Sequence, residues 1–303
     1  MELVVRNRHT RETDLADSGV LEVEAGQTVV YQGRYGEDIG IALGPVSDAN
    51  RKQYRKIYTI DRVATQSDLE RFEEQEREAH DAARVCSDRV EVHQLDMRVV
   101  SGHYLLDRSK LLFFFVSDHR VDFRSLVRDL VSRFHVRVEL RQIGVRDETR
   151  IVGGIGICGR RLCCNGVSDR LAPVSIRMAK DQNYSLNSMK VSGPCGRLLC
   201  CLSYEHDFYR EERRRYPKEG ARVDVNGDLF RVHEINILSG HVRMFGPQGQ
   251  YTSVPICALQ RDESAAGAGD RRGGRGRGRD GGEAQWVVNH ENCPAARIAV
   301  DTE

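Results

Sequence analysis

Apolar residues recur along the chain with two different periods, and the switches between them mark out its elements. Leu21-Glu22-Val23-Glu24 alternates apolar with acidic side chains, and Gln27 to Tyr31 continues in strand-forming types. Ile39-Gly40-Ile41-Ala42-Leu43 is the most strand-like of the pieces punctuated by Gly33, Gly36, Gly40 and Gly44. Residues 1–60 therefore read as a small N-terminal β module. The period then becomes helical. Ser67-Asp68-Leu69-Glu70 has capping-box spacing between Ser67 and Glu70, and Leu69, Phe72, Ala79, Ala83 and Cys86 form one apolar stripe. The charge run Glu70–Glu78 is the wet face of that helix.

Strands are predicted over Glu91–Val100 and Lys110–Val116. The second is apolar on both faces, which places it in the middle of a sheet. Asp122 opens another amphipathic helix with Phe123, Leu126, Val127, Leu130, Val131 and Phe134 inward. Val136, Val138 and Leu140 then alternate with Arg137, Glu139 and Arg141 as a half-exposed strand. Helix, strand, strand, helix, strand over 61–143 describes an α+β layer with helices on one sheet face.

Residues 144–219 are a cysteine-rich segment full of glycine and loop formers. Over 220–260 short strands are broken by Asn226-Gly227, Ser239-Gly240 and Gln248-Gly249, the spacing of a small β-barrel-like module built of hairpins. Residues 261–303 are an Arg/Gly-rich tail. Its part 261–284 cannot build a core and reads as disordered, with Trp286-Val287-Val288 an apolar island beyond it. The fold class is α+β.

Charge narrows the function. Lys and Arg number 46 against 45 Asp and Glu, so the net charge of +1 rules out coating nucleic acid by bulk field, and any such contact must come from a local patch. The longest uninterrupted apolar run, Leu111–Val116, is far short of the roughly 20 residues that span a bilayer. The first residues lack the pattern of a secretory signal. A cytoplasmic, reducing setting is expected, in which cysteines stay as thiols or ligands.

The cysteines carry the strongest signal. Gly156-Ile157-Cys158-Gly159-Arg160-Arg161-Leu162-Cys163-Cys164 recurs 37 residues later as Gly193-Pro194-Cys195-Gly196-Arg197-Leu198-Leu199-Cys200-Cys201, and six of the nine cysteines fall in these two arms. Thiolates at that density suit a soft metal or an iron–sulfur cluster. Free cysteine also serves as a small buried hydrophobe, but a duplicated spacing favours ligation. Neighbouring side chains diverge, so Cys163 and Cys164 do not easily serve one metal together, nor do Cys200 and Cys201. Gly159 and Gly196 suit tight turns around sulfur. Arg160 and Arg197 can offset thiolate charge, while Leu162 and Leu199 can exclude water. Cys86 and Cys257 read as core, and Cys293 as a thiol of the tail.

No catalytic constellation is visible. His103, His119, His135 and His206 are scattered, and Gly153-Gly154-Ile155-Gly156 is not followed by the Gly-Lys-Ser/Thr of a phosphate loop. Arg146, Arg150, Arg177, Lys180 and Lys190 are candidates for one positive face contacting phosphate or a partner, as are Arg160 and Arg197 in the arms. Asp147, Glu148, Asp169 and Asp181 counter that charge. The Arg-Gly tail is compatible with RNA binding and equally with a tether.

Several longer strings carry a resemblance. Glu-Leu-Arg-Gln-Ile-Gly-Val-Arg-Asp-Glu (139–148), Pro-Val-Ser-Ile-Arg-Met-Ala-Lys-Asp-Gln-Asn (173–183), both cysteine arms and Arg120-Val121-Asp122-Phe123-Arg124 resemble the YaaT/RicT family of bacterial proteins with the Psp-one C-terminal domain. The likeness covers roughly residues 20–260. It implies a non-enzymatic cytoplasmic regulator that joins two small helical partners in a complex carrying four-iron–four-sulfur clusters. That complex promotes mRNA processing and maturation by endoribonuclease Y, with effects on sporulation, competence and biofilm formation. Carried over, Cys158, Cys163, Cys164, Cys195, Cys200 and Cys201 match the family's cysteine positions. Two other classes stay open beside this one: a zinc-stabilised nucleic-acid-binding module without redox function, and a dithiol redox enzyme.

Overall fold

A computed structural model describes residues 1–261, 286–289 and 299–301. The disorder expected over 261–284 lies, Arg261 apart, outside the described residues, as does Cys293. The chain forms two compact units, Met1–Val174 with Val191–Cys201, and Ser175–Lys190 with Leu202–Glu303. Among the described residues no helix is long and apolar enough to cross a membrane.

The first unit begins with strands β1 (Glu2–Asn7), β2 (Thr13–Asp17), β3 (Thr28–Gln32) and β4 (Glu37–Pro45), the short helix α1 (Asp48–Arg51) and β5 (Ile57–Val63). They close into a barrel in the order β1-β2-β5-β3-β4. Alternation places Leu3, Val5, Ala16, Val29, Tyr31 and Ile60 inside. Gly40 is the close-approach point, since a Cβ there would collide with Val5. The N-terminal β module is thus a closed barrel.

Helix α2 (Gln66–Val92) comes next. Its capping box joins Thr65 to Asp68, not Ser67 to Glu70, because Asp68 is already held at the helix mouth by an ion pair with Arg62. The buried stripe is Phe72, Gln75, Ala79, Ala82, Cys86 and Val90. Val90 continues the helical period one turn past Cys86, so the helix runs to Val92 and the next strand, β6 (Arg98–Tyr104), starts later than the predicted Glu91.

β7 (Lys110–Val116) pairs antiparallel with β6 and parallel with β8 (Arg137–Gln142), and so occupies the centre of a three-stranded sheet as predicted. Between β7 and β8 lies α3 (Arg124–Phe134), which starts after Asp122 because that carboxylate accepts from the Arg124 backbone N–H outside the helix. Leu126 and Leu130 face inward, whereas Val131 is exposed. The two faces of β7 do different things. Leu111, Phe113 and Phe115 pack with α2 and α3, while Leu112 and Phe114 pack with Leu105, Tyr35, Ile143 and Ile151. That two-sided burial explains its continuous apolar run. The unit continues through α4 (Val145–Val152) and α5 (Cys163–Gly166).

Helix α6 (Ile176–Asp181) belongs to the second unit, and α7 (Ser188–Val191) and α8 (Cys200–Glu212) carry the chain across the division. Strands β9 (Arg222–Val225), β10 (Asp228–Asn236), β11 (His241–Phe245), β12 (Tyr251–Pro255), β13 (Leu259–Arg261), β14 (Trp286–Val288) and β15 (Ala299–Asp301) form one sheet in the order β13-β14-β9-β10-β11-β12-β15. The predicted hairpin turns are present, with positive φ at Asn226, Gly227, Gly240 and Gly249. The hairpins are part of a larger, seven-stranded sheet. The apolar island beyond Arg261 adds to it: β14 inserts between β13 and β9, and Trp286 packs on the sheet's core. Cys86 is core as expected, its thiol pushed up to about 12 by burial, but Cys257 is exposed.

The seam between α2 and β6 depends on Gly102, where an added Cβ would lie 2.6 Å from the Ala79 carbonyl oxygen. Gly102→Ala is expected to destabilise the chain by about 1–3 kcal/mol through overpacking, read as a lowered urea midpoint with an unchanged slope.

Candidate metal centre

The two cysteine arms are one local structure used twice. In the first, Gly156 N–H donates to the Arg160 carbonyl at 2.8 Å and Gly159 N–H to the Gly156 carbonyl at 3.0 Å. In the second, Gly193 donates to Arg197 at 2.8 Å and Gly196 to Gly193 at 2.9 Å. Isolated bridges Ile155–Arg161 and Ser192–Leu198 close the same loop in each. Gly159 and Gly196 have φ of 74° and 73°, a left-handed turn that glycine adopts without strain. Each Cys-Cys pair then opens a helix, α5 at Cys163 and α8 at Cys200. Leu162 is buried and Leu199 half-buried.

The first arm is fastened to the barrel through α4. Arg150, 4% exposed, donates to the Thr10 carbonyl at 3.0 Å and pairs with Glu12 at 3.1 Å and Asp147 at 2.8 Å. The Asn165 amide of the arm donates to the Arg150 carbonyl at 2.8 Å. Just beyond, Asp169 accepts from the Thr13 hydroxyl at 2.6 Å, and Arg170 lies over the Tyr54 ring at 4.1 Å. In the second arm, Leu199 N–H donates to the Val191 carbonyl at 2.9 Å.

All six arm cysteines remain thiols and lie in the first unit. Cys164 and Cys200 each feel sulfur from the opposite arm. Burial raises the Cys164 thiol, and Cys200 and Cys195 raise it further. Burial likewise raises Cys200, with Cys163 and Cys195 adding to it and Arg146 opposing. Cys158 is exposed. Among the described residues no three of these sulfurs lie within 4.8 Å of one another. Four thiolates around one zinc ion would sit about 3.8 Å apart, given tetrahedral Zn–S bonds of about 2.3 Å.

The donor set fits an anionic thiolate centre on one further observation. Arg146 Nε is buried without a hydrogen-bond partner, and its charge acts on Cys200. A buried guanidinium nitrogen left unsatisfied is costly unless something negative faces it. Of the other candidate basic residues, Arg160 is exposed and Arg197 reaches toward Gly144, whose ideal Cβ would be 3.9 Å from the guanidinium. Arg177, Lys180 and Lys190 are exposed and belong to the second unit.

A second polar cluster was invisible in the sequence. His9 Nδ1 lies 2.9 Å from Glu76, His103 Nδ1 lies 3.0 Å from the same carboxylate oxygen, and His103 Nε2 lies 2.8 Å from Asp38. Glu76 belongs to the charge run read as a solvated face; it points at two histidines instead. Burial opposes charge on His103, but Asp38 and Glu76 outweigh it and raise the imidazole to about 10. Glu76 is held well below the usual carboxylate range by its two histidine partners, against the opposing effect of burial.

Comparison with known proteins agrees with the strings noted in the sequence. The chain matches the family described as PSP1 C-terminal conserved region over residues 58–143 and PSP1-like protein, third domain, over residues 173–216. It is 46% identical over 207 residues to the stage 0 sporulation protein YaaT of Bacillus subtilis, covering 66% of this chain and 74% of that one. It is 30% identical over 95 residues to an uncharacterised protein of Schizosaccharomyces pombe, covering 31% of this chain and 13% of that one. No solved structure matches. Barrel, α+β layer and paired arms thus define a PSP1-type α+β protein. The chain belongs to the YaaT/PSP1 family.

Two measurements test the site's supports. Arg150→Ala is expected to cost about 3 kcal/mol, the lower end for a broken buried pair because Arg34 still pairs with Glu12; denaturant unfolding reads it. His103 has a raised folded value against 6.5 unfolded. Its contribution to stability should therefore be full below pH about 6.5 and fade as pH climbs toward 10. Unfolding midpoints across that range should lose this slope in His103→Gln.

Proposed function

We propose that the chain is a non-enzymatic regulatory scaffold whose cysteine arms hold a four-iron–four-sulfur cluster, and that it acts in a cytoplasmic complex modulating RNA processing by an endoribonuclease. Family membership supports a regulatory role, and the YaaT relative is named a sporulation protein. The observation that carries the reading is the duplicated arm. Two matching turns each present a cysteine ahead of a helix that begins with two more, and the Cys164 and Cys200 thiols each feel sulfur from the opposite arm.

Iron–sulfur ligation is preferred to zinc on the family resemblance, and six thiols in two matching arms supply more sulfur than one four-coordinate ion needs. The cluster, when bound, supplies redox sensitivity and a tie between the arms. The chain's own residues do the rest. Cys195 and Cys200, with one of the adjacent pair Cys163 and Cys164, are the best-placed ligands, and exposed Cys158 is available to a shared centre or a partner. Arg146 offsets thiolate charge, Leu162 excludes water, and Gly159 and Gly196 set the turns. Partner proteins, the small helical subunits and endoribonuclease of the family's complex, would read the arms in their cluster-bound arrangement. RNA is a further candidate partner through local basic residues.

Anaerobic purification is expected to give brown protein with iron and sulfide in matched amounts. Serine at Cys195 or Cys200 should abolish the colour, and serine at Cys158 should release partners in a pull-down from anaerobic lysate. Colourless protein carrying stoichiometric zinc would replace the cluster with the zinc reading; partners retained after complete loss of metal would end the switch while leaving the scaffold.

A further inference from the structure

We propose that His9, Glu76 and His103 form a second, sulfur-free metal site that takes a divalent cation of zinc's class. The proposal is independent of what the cysteine arms hold. These three side chains place one ligand atom each within 4.8 Å of one another, the only such group among the described residues. Two neutral imidazoles and one carboxylate are a donor set that zinc and its neighbours accept.

The surroundings are those of a ligand set and not of an incidental contact. Both histidines turn the same ring atom, Nδ1, to one carboxylate oxygen, at 2.9 and 3.0 Å. Both have the far nitrogen, Nε2, held from outside. His103 Nε2 lies 2.8 Å from Asp38 Oδ2, and His9 Nε2 lies 3.2 Å from the Ser101 hydroxyl. With a proton on each Nε2 donating outward, each Nδ1 lies on the side of the shared carboxylate and offers a lone pair there once His103 has given up its second proton. Outer partners that fix tautomer and ring orientation in this way are the usual second layer of a histidine metal site. Asp38 is itself anchored, accepting from the Asn7 amide at 2.8 Å. Asn7 and Asp14 contact the buried Tyr31 hydroxyl behind it.

Entry is available on one side. His103 is 1% exposed, but the Glu76 side chain is 34% exposed and, with His9, lines a cleft of about 310 Å³ walled by His80, Ser101 and Gly102. Gly102 lets β6 approach α2 closely enough to set Ser101 and His103 beside Glu76. The ring centroids are 4.4 Å apart and the planes within 18°. Binding therefore requires the two rings to turn out of this stack so that both Nδ1 lone pairs meet one ion, and it releases the proton that His103 otherwise shares with Glu76.

Cobalt(II) distinguishes this site from the arms, because thiolate ligation gives intense near-ultraviolet charge-transfer bands and nitrogen–oxygen ligation gives only weak visible bands. Titration of the full chain under reducing, anaerobic conditions is expected to show one equivalent without charge transfer. It should survive Cys195→Ser and Cys200→Ser and disappear in His9→Gln and in Glu76→Gln, which keeps the shape of that position. Ser101→Ala should weaken it about 10-fold to 100-fold. Circular dichroism checks that each variant is folded. Absence of a sulfur-free equivalent in the unmodified chain, or its persistence in folded Glu76→Gln, overturns the proposal and leaves the cluster a hydrogen-bonded clamp.

Discussion

One guanidinium organises the neighbourhood of the first cysteine arm. Arg150 reaches from α4 into the rim of the barrel, where it meets the Thr10 carbonyl and the Glu12 carboxylate, and its own carbonyl accepts from Asn165 in the arm. A charge this deeply placed is tolerated only when its hydrogen bonds are met on several sides at once. The barrel rim, α4 and the arm must therefore be in place together. Burial raises the Glu12 carboxyl, and the two arginines around it offset that only in part. Geometry at the sulfurs is thus inherited from a polar junction several residues away.

The same logic runs through the rest of the first unit. Apolar packing builds the layers, with β7 feeding both faces of its sheet. Polar contacts then decide how the layers meet. Asp68 and Arg62 fix where α2 begins, and the His9–Glu76–His103–Asp38 chain links barrel, helix and sheet across their common seam. Every member of that chain has its partner, which is the condition under which a buried polar network adds rigidity.

Legible in the sequence was whatever is written locally. Six consecutive apolar residues announced β7, and a nine-residue string announced each arm with its glycine turn and helix start. Overlapping signals misled at α2: Thr65-x-x-Asp68 and Ser67-x-x-Glu70 both have capping-box spacing, and the choice is made by Arg62, which a spacing argument does not weigh. Short turns around Asn226-Gly227 announced the hairpins but not the extent of their sheet, because β14 arrives from beyond Arg261. The histidine cluster left no trace at all. Its contacts span 67, 27 and 65 residues, so no window contains it, and Glu76 sits in a charge run that looks like ordinary solvated surface.

The twin arms differ in the helices they lead into. The first ends in a four-residue helix, the second in one of 13 residues, although the loops themselves share hydrogen bonds and backbone angles. Function can therefore diverge between two copies of a single part without any change in the part. The repeated string is a portable cassette, and its individuality comes from the flanking residues that receive it.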